Sequence, residues 1–564
     1  MGITPVVMTC LSEAEAQRAA DQPERDPLLW EREPETRWHK LDHLLYLPVL
    51  GLTRPRDLYY YQGSGLQGLY GFTYKYLPLE HFLGRLTRLG ISQPLALTLA
   101  ACYSQAWYPG TEALDVFVDW HIKPHWTKQA AQSGHITMWG RVMPGTKQLL
   151  VNGPGGHLLG GWDEAIDTHL SRVLVGLEVK LEACLQRPIR CLICDSEGGG
   201  LPTGQRYAEA QRYYLSLLPR QAYTLAEFVV EDAWQPVSGD PAREVVGAQW
   251  RDPDKAAAEV RDLVLMRPLG EPEPSRIYAG RLPPALPASE VPGLYRQRWA
   301  GQERVIRELV NGANLNANFG YTYQKVTNRT RQRQWTEAQA KVEVSEQRLA
   351  QHEAAVANLR QQLVKLRQSH AQARQAVQTA LIAQQAEFLA RHEAGQPLRR
   401  CQQRLAARFG ELDALTARYR RRRGRLRQQL RQHRTQQAQG QADLLARQTA
   451  RDELDTASLC RERDLTKDQL MLNLQVLLAN LHDWTRTHYL APSWRRLELE
   501  RAIALIYRKP GRVQWGEQEI AVILEPYRYP EHQRAMEETC RRFNAAQLHW
   551  RDGRRLRIRV APVG

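Results

Sequence analysis

At 564 residues the chain is too long to be organised by one hydrophobic core, and two to four units are expected. Basic residues exceed acidic ones by 77 − 61 = 16, a balance that favours a polyanionic partner, nucleic acid before membrane. Apolar runs all fall short of 18 residues and no basic-then-apolar leader opens the chain, which predicts a soluble cytoplasmic protein without a membrane partner; eight cysteines without framework spacing agree with a reducing compartment.

Residues 1 to about 36 are polar, carry Pro23, Pro27 and Pro34, and read as loose surface chain. Helical spacing runs over Leu79–Leu89, stops at Gly90, and a second helix starts after Ser92 with Pro94 in its first turn. This pair reads as a packing hairpin inside a mostly helical region, 1–108.

The next region, 109–334, has a regular order of elements. A strand over 115–122 is followed by β-like stretches at 135–143 and 147–151. A helix is expected from Trp162 to Leu185, with Ile166, Leu170, Val173, Leu174, Leu177 and Leu181 at helical spacing. Ile189-Arg-Cys-Leu-Ile-Cys-Asp195 is a buried strand closed by an acid and a glycine triplet. A helix near 203–217 and a strand near 222–230 complete the run. Three strands, helix, strand, helix, strand is the ribonuclease-H-like arrangement, an α/β fold whose first and fourth strands are neighbours. That pairing would set Asp119, at the end of Leu114-Asp-Val-Phe-Val-Asp119, beside Asp195. Cys191-x-x-Cys194 lacks a second pair at zinc spacing and reads as small apolar thiols in a strand.

Residues 231–290 turn to Pro, Gly and short apolar runs, a β-rich insertion. The helix after Pro292-Gly293 carries Trp299, Glu303, Ile306 and Val310 on one face, so Glu303 is expected to point inward and Glu308 outward. An inward glutamate is costly unless paired or metal-bound. Asp119, Asp195 and Glu303, on strand, strand and helix, therefore form a candidate polynucleotidyl-transfer site.

Between 335 and 455, Leu349, Val356, Leu363 and Val377 recur at multiples of seven. Gly395-Gln-Pro397 breaks the pattern, and Leu398, Leu405, Leu412, Tyr419 and Leu426 resume it. Two arms around one breaker predict an antiparallel coiled-coil hairpin. The second arm carries nine arginines between Arg418 and Arg434, Arg420, Arg421, Arg422 and Arg423 among them, as candidate phosphate contacts. Residues 456–564 read as a small α+β segment: an apolar helix (Leu470, Leu474, Leu477, Leu478, Leu481), a strand pair over Val513–Leu524, a helix near 530–546 and the strand Leu556–Val560.

Val118-Asp119-Trp-His121-Ile-Lys123-Pro124, Cys194-Asp195-Ser-Glu197-Gly198 and Tyr295-Arg-Gln-Arg298-Trp299-Ala-Gly-Gln302-Glu303 resemble the three acidic blocks of DDE transposases of bacterial insertion sequences. The branch it resembles has a β insertion before a Tyr-x-x-Arg-x-x-x-Glu helix. Asn314-x-Asn316-x-Asn318-x-Gly320-Tyr321 and Gly511-Arg512-Val513 extend the likeness, which covers roughly residues 110–330 and 465–564. One departure stands out: the three-residue gap after Arg298 leads to Gln302, with the acid one place later. The resemblance implies Asp119, Asp195 and Glu303 as catalytic metal ligands, and Tyr295 and Arg298 as contacts to the phosphate beside the cut. It implies two Mg²⁺ ions (Mn²⁺ as a substitute), DNA partners comprising terminal inverted repeats and target, and a homodimer holding two ends. A metal-dependent nuclease, or an inactive transposase retained as a DNA-binding coiled-coil protein, would carry the same features.

Overall fold

The computed structural model describes residues 34–562 apart from 53, 61–75, 221–222, 231, 321, 455 and 551. The expected irregular start falls almost wholly outside these. The chain forms two compact units, residues 1–326 with 461–564, and residues 327–460.

The first unit begins with helices α1 (Pro34–Val49), α2 (Tyr76–Arg88) and α3 (Ser92–Trp107). Strands β1 (Leu114–Pro124), β2 (Ser133–Ile136), β3 (Arg141–Asn152) and β4 (Leu158–Ala165) follow, then α4 (Leu170–Leu185) and β5 (Ile189–Cys194). Next come α5 (Leu201–Glu209), β6 (Tyr214–Leu217), β7 (Phe228–Val230), β8 (Gln235–Val237), β9 (Asp240–Trp250), α6 (Pro253–Ala258), β10 (Asp262–Pro268) and β11 (Arg276–Arg281). Helices α7 (Val291–Arg298) and α8 (Arg304–Gly312) are joined by a π-turn over Trp299–Glu303, and β12 (Tyr323–Thr327) ends this part.

Two expectations need correction. Trp162–Ala165 belongs to a strand and not to the start of the helix, because Thr146–Asn152 of β3 offers a free edge. Trp162 pairs there with Leu149, and Gly160 and Gly161 discourage helix. Likewise 203–217 is not one helix: α5 stops at Glu209 and Tyr214–Leu217 joins the sheet between β5 and β11.

The strands form one eleven-stranded mixed sheet, in the order β2-β3-β1-β5-β6-β11-β10-β9-β7, with β4 on β3 and β8 on β9. The β-rich stretch is thus continuous with the main sheet, since β11 pairs with β6. β1 runs antiparallel to β3 and parallel to β5, Val118 standing opposite Cys194. Period-two alternation splits these strands between two cores. Val116, Val118, Leu192 and Cys194 pack with α1 to α4 on one face, while Phe117, Cys191, Ile193 and Tyr295 pack on the other. Cys191 and Cys194, three apart on a strand, consequently face opposite ways and are both buried free thiols.

The second unit is a helical pair, α9 (Arg329–Glu393) and α10 (Arg399–Asp452), broken at Gly395-Gln-Pro397. Its pairing is antiparallel: Gln339 meets Arg451, Glu353 meets Gln437 and Glu387 meets Arg404. Val342, Val356, Leu359, Val377 and Leu426 are buried along the seam.

After β13 (Leu459–Arg463) the chain re-enters the first unit as α11 (Thr466–His488), then α12 (Leu499–Ala502), β14 (Gly511–Trp515), β15 (Glu519–Leu524), α13 (Pro530–Ala545) and β16 (Arg555–Val560). The segment read as one small cap has two fates. Leu470, Met471, Leu472, Leu474 and Leu477 of α11 sit in the main core, whereas β14 to β16 and α13 form a sheet and core of their own. Among the described residues, no helix is long and apolar enough to cross a membrane.

Candidate functional site

Alternation decides where the two aspartates point. Asp119 follows Val118, and Asp195 follows Cys194, so each takes the side of Phe117 and Ile193, the side on which α7 packs. Asp119 lies midway along β1, which continues to Pro124, and Asp195 comes just after the end of β5; both are half-buried.

Helix α7 brings Arg298 to them. Its guanidinium donates to Asp119 Oδ2 at 2.7 Å and lies 5.5 Å from the ring of Tyr295. Asp119 Oδ1 also accepts from the Trp120 amide at 2.8 Å, and Asp195 Oδ1 accepts from the Glu197 amide at 3.0 Å. Burial pushes the Asp119 carboxyl up to about 6; Arg298 opposes the shift and the nearby charge of Asp195 adds to it. Asp195 is raised as well, by burial first, with Arg298 pulling the other way. The buried Nε of Arg298 has no hydrogen-bond partner among the described residues, so part of its donor capacity is unspent.

Glu303 is placed differently. The inward stripe of this helix is Gln302, Val305, Glu308 and Leu309, while Glu303 is exposed and Trp299 is 64% exposed. Gln302 is 1% exposed and donates to the Leu150 carbonyl at 3.3 Å, and Leu150 is the cross-strand partner of Asp119. Glu308, expected in solvent, is buried beside Arg304 and Arg486, at 3.6 and 3.8 Å. The inward and outward assignments of these two glutamates are therefore corrected. The buried stripe runs through Val291, Tyr295, Arg298, Gln302, Val305 and Leu309 at spacings of four and three, straight across the π-turn of Trp299–Glu303, and Glu303 lies outside it. Gly301 sits at that turn because a Cβ there would come 2.8 Å from Cα of Gly156 in the β3–β4 loop. Among the described residues, no group of three or more His, Cys, Asp or Glu side chains converges as a metal cage.

Tyr295 and Arg298 thus stand beside the aspartates, while Glu303 is exposed. Glu197 accepts from the Leu170 amide at 3.1 Å and caps α4, with Lys147 Nζ 3.5 Å away. His121 is bonded to Asn316 Oδ1 at 2.8 Å and His125 lies 3.2 Å from Arg463, so both serve internal packing. Arg420, Arg421 and Arg422 of α10 are exposed, and Arg423 leans on Tyr419 at 5.9 Å. None of the arginines from Arg418 to Arg434 makes an ion pair among the described residues.

A cluster not foreseen from sequence lies on the far half of β1. Lys123 Nζ is 3.2 Å from Asp468 Oδ1, Arg463 is 3.1 Å from Asp468 Oδ2, and Asp163 is buried close by. The one signal was the polar pattern of α11, where Asp468, Gln469, Asn473 and Gln475 interrupt a leucine-rich helix and are all buried. Neither the models of known protein families nor the curated proteins give a match to this chain.

Proposed function

We propose that the protein is a metal-dependent polynucleotidyl transferase built on a ribonuclease-H-like core, a DDE-type transposase that cuts DNA ends and joins them to a target. The observation that carries this reading is the pair of half-buried carboxylates, Asp119 on β1 and Asp195 just past the end of the parallel strand β5, facing Arg298 and Tyr295. Support also comes from the strand order β4-β3-β1-β5-β6 with α4 between β4 and β5, and from an arginine run on α10 without ion pairs among the described residues.

Two carboxylates suit Mg²⁺, which commonly takes one or two acidic ligands and fills its remaining positions with water and phosphate oxygens. Asp119 and Asp195 would hold it, and both can shed their raised affinity for protons in its favour. Bound there, the ion would act as a Lewis acid on the phosphodiester and lower the pKa of an attacking water. Arg298 keeps Asp119 compensated without metal; its unspent Nε–H is suited to a phosphate oxygen. Tyr295 buttresses that guanidinium through its ring face. Glu303 is one residue from the buried position of Gln302, and a one-residue shift of the π-turn would exchange the two, since each residue turns the helix by roughly 100°.

The exposure of Glu303 favours one other reading, a DNA-binding protein that no longer cuts. Cleavage and joining of DNA from the flanks of its own coding region, with Mg²⁺, separates the two. Asp195→Asn should lower cleavage at least about 100-fold and leave DNA affinity within about twofold. Glu303→Gln should lower cleavage at least about tenfold and leave the melting temperature unchanged, as an exposed side chain allows. A wild-type protein that binds but never cuts leaves only the second reading.

A further inference from the structure

The loop that leaves β1 carries an aromatic and cationic surface that the proposed chemistry does not use. Trp126, just past the strand, is 74% exposed, and Trp139, on the turn between β2 and β3, is 39% exposed. Their ring centroids are 5.1 Å apart with planes inclined by 38°. Arg141, the first residue of β3, lies over both, 5.4 Å from Trp126 and 5.5 Å from Trp139.

The platform is held in place from beneath. Ile136 pairs with Arg141 across a four-residue turn, closed by Gly140 at φ +60°, where a side chain would be strained. Ile136 is buried, so Trp139 and Arg141 stand on a fixed hairpin, and Trp126 packs against them from the loop after β1. A tryptophan left three-quarters in water beside a second exposed ring is an apolar patch of the kind that marks a binding surface.

The charge says what that surface would bind. The twenty residues 126–145 include Lys128, His135 and Arg141 and no acid. The neighbouring strand adds a second exposed pair of the same kind, Arg461 over Tyr323 at 5.9 Å, joined to this loop by the Gln132 amide on the Arg461 carbonyl. Aromatic faces interleaved with cations match an unpaired nucleic-acid strand: bases stack on rings and phosphates meet the cations. A duplex hides its base faces and gains nothing from exposed tryptophans. The Cα of Trp126 is seven residues from that of Asp119, so the platform lies within about 25 Å of the aspartates.

We infer that Trp126, Trp139 and Arg141 form a stacking platform for single-stranded DNA. The platform does not require the aspartates to be catalytic, and its test uses no metal. Binding of a fluorescent oligothymidine of about twenty nucleotides is measured by anisotropy in chelator, on the full chain. The Trp126→Ala/Trp139→Ala protein should bind about 10- to 100-fold more weakly, with duplex affinity changed less than about threefold. Trp126→Phe/Trp139→Phe should keep most of the affinity. An unchanged single-strand affinity in a folded alanine variant overturns the inference, as does an equal loss for duplex. Oligouridine bound at least about tenfold tighter than oligothymidine would overturn the assignment to DNA. A fall in sedimenting mass on alanine substitution would assign the patch to self-association and equally overturn it.

Discussion

Asp163 is a carboxyl without water, and burial raises its pKa well above the ordinary value near 4; Lys123 opposes the shift and Asp468 adds to it. Lys123 is already committed to Asp468 and to the Ala317 carbonyl at 2.9 Å, so Asp163 receives only part of its field. The folded chain therefore holds this proton more tightly than the unfolded one. The stabilising contribution is full below pH 4 and is lost as pH rises through the raised pKa. Asp163→Asn should melt like the parent near pH 4.5 and about 2–6 °C higher at pH 8. Thermal melts at the two values check this, and a variant less stable at pH 8 would mean that Lys123 depends on the charge. Sequence could not reveal this group, because Trp162–Ala165 continues the helical spacing of the residues after it and yet pairs as a strand. It did put Asp119 and Asp195 next to each other, since the neighbouring of their strands follows from the order of elements. Glu303 escaped because Trp299, Ile306 and Val310 mark its face as apolar, whereas Trp299 is exposed and the buried stripe runs through Tyr295, Arg298, Gln302, Val305 and Leu309.

Among the elements, the helical pair was the most legible, because a seven-residue apolar repeat sustained over many turns fits packed helices and little else. Its exceptions are instructive. His370, at the place the repeat reserves for an apolar residue, stacks on Tyr419 with ring centroids 4.0 Å apart. His352 and His433 meet at 3.3 Å across the same seam. Helix α9 spans 65 residues, roughly 100 Å, and no core residue asks for that length. Along α10 the run from Arg418 to Arg434 stays largely exposed and without ion pairs among the described residues. Changing Arg420 to Arg423 to glutamine should lower the slope of log affinity for duplex DNA against log salt by up to about four. Helicity by circular dichroism should not change. An unaltered slope would leave the run as a solvated face. The strand Leu158–Ala165 was the least legible element, since its pairing with β3 decides it and pairing is not local.

Across the whole molecule, charge and core are divided between the two units. Residues 327–460 hold 25 basic and 12 acidic residues, 25 − 12 = +13 of the chain's +16, while the hydrophobic clusters of the first unit draw no residue from that stretch. One unit supplies the buried core and the aspartates, the other most of the cationic field. The ends of the inserted unit meet, the Asn328 amide donating to the Ser458 carbonyl at 3.0 Å, so a short linker can replace what lies between them. Joining Asn328 to Ser458 through about four glycine and serine residues should therefore leave a chain that folds and melts cooperatively. If the whole chain binds Mn²⁺ at Asp119 and Asp195, as proposed, the shortened chain should bind it equally well, measured by calorimetry. Its duplex affinity should drop at least about tenfold near 0.1 M salt, and its salt slope should fall by more than the four-arginine substitution achieves. Retained affinity with an unchanged slope would place the DNA contacts on the first unit. Lost Mn²⁺ binding in a folded chain would mean that the aspartates depend on the helical pair, against the separation of the cores. If both quantities behave as expected, the +13 unit works by drawing in and holding DNA, and the two aspartates need nothing from it but a raised local concentration of the DNA they are proposed to cut.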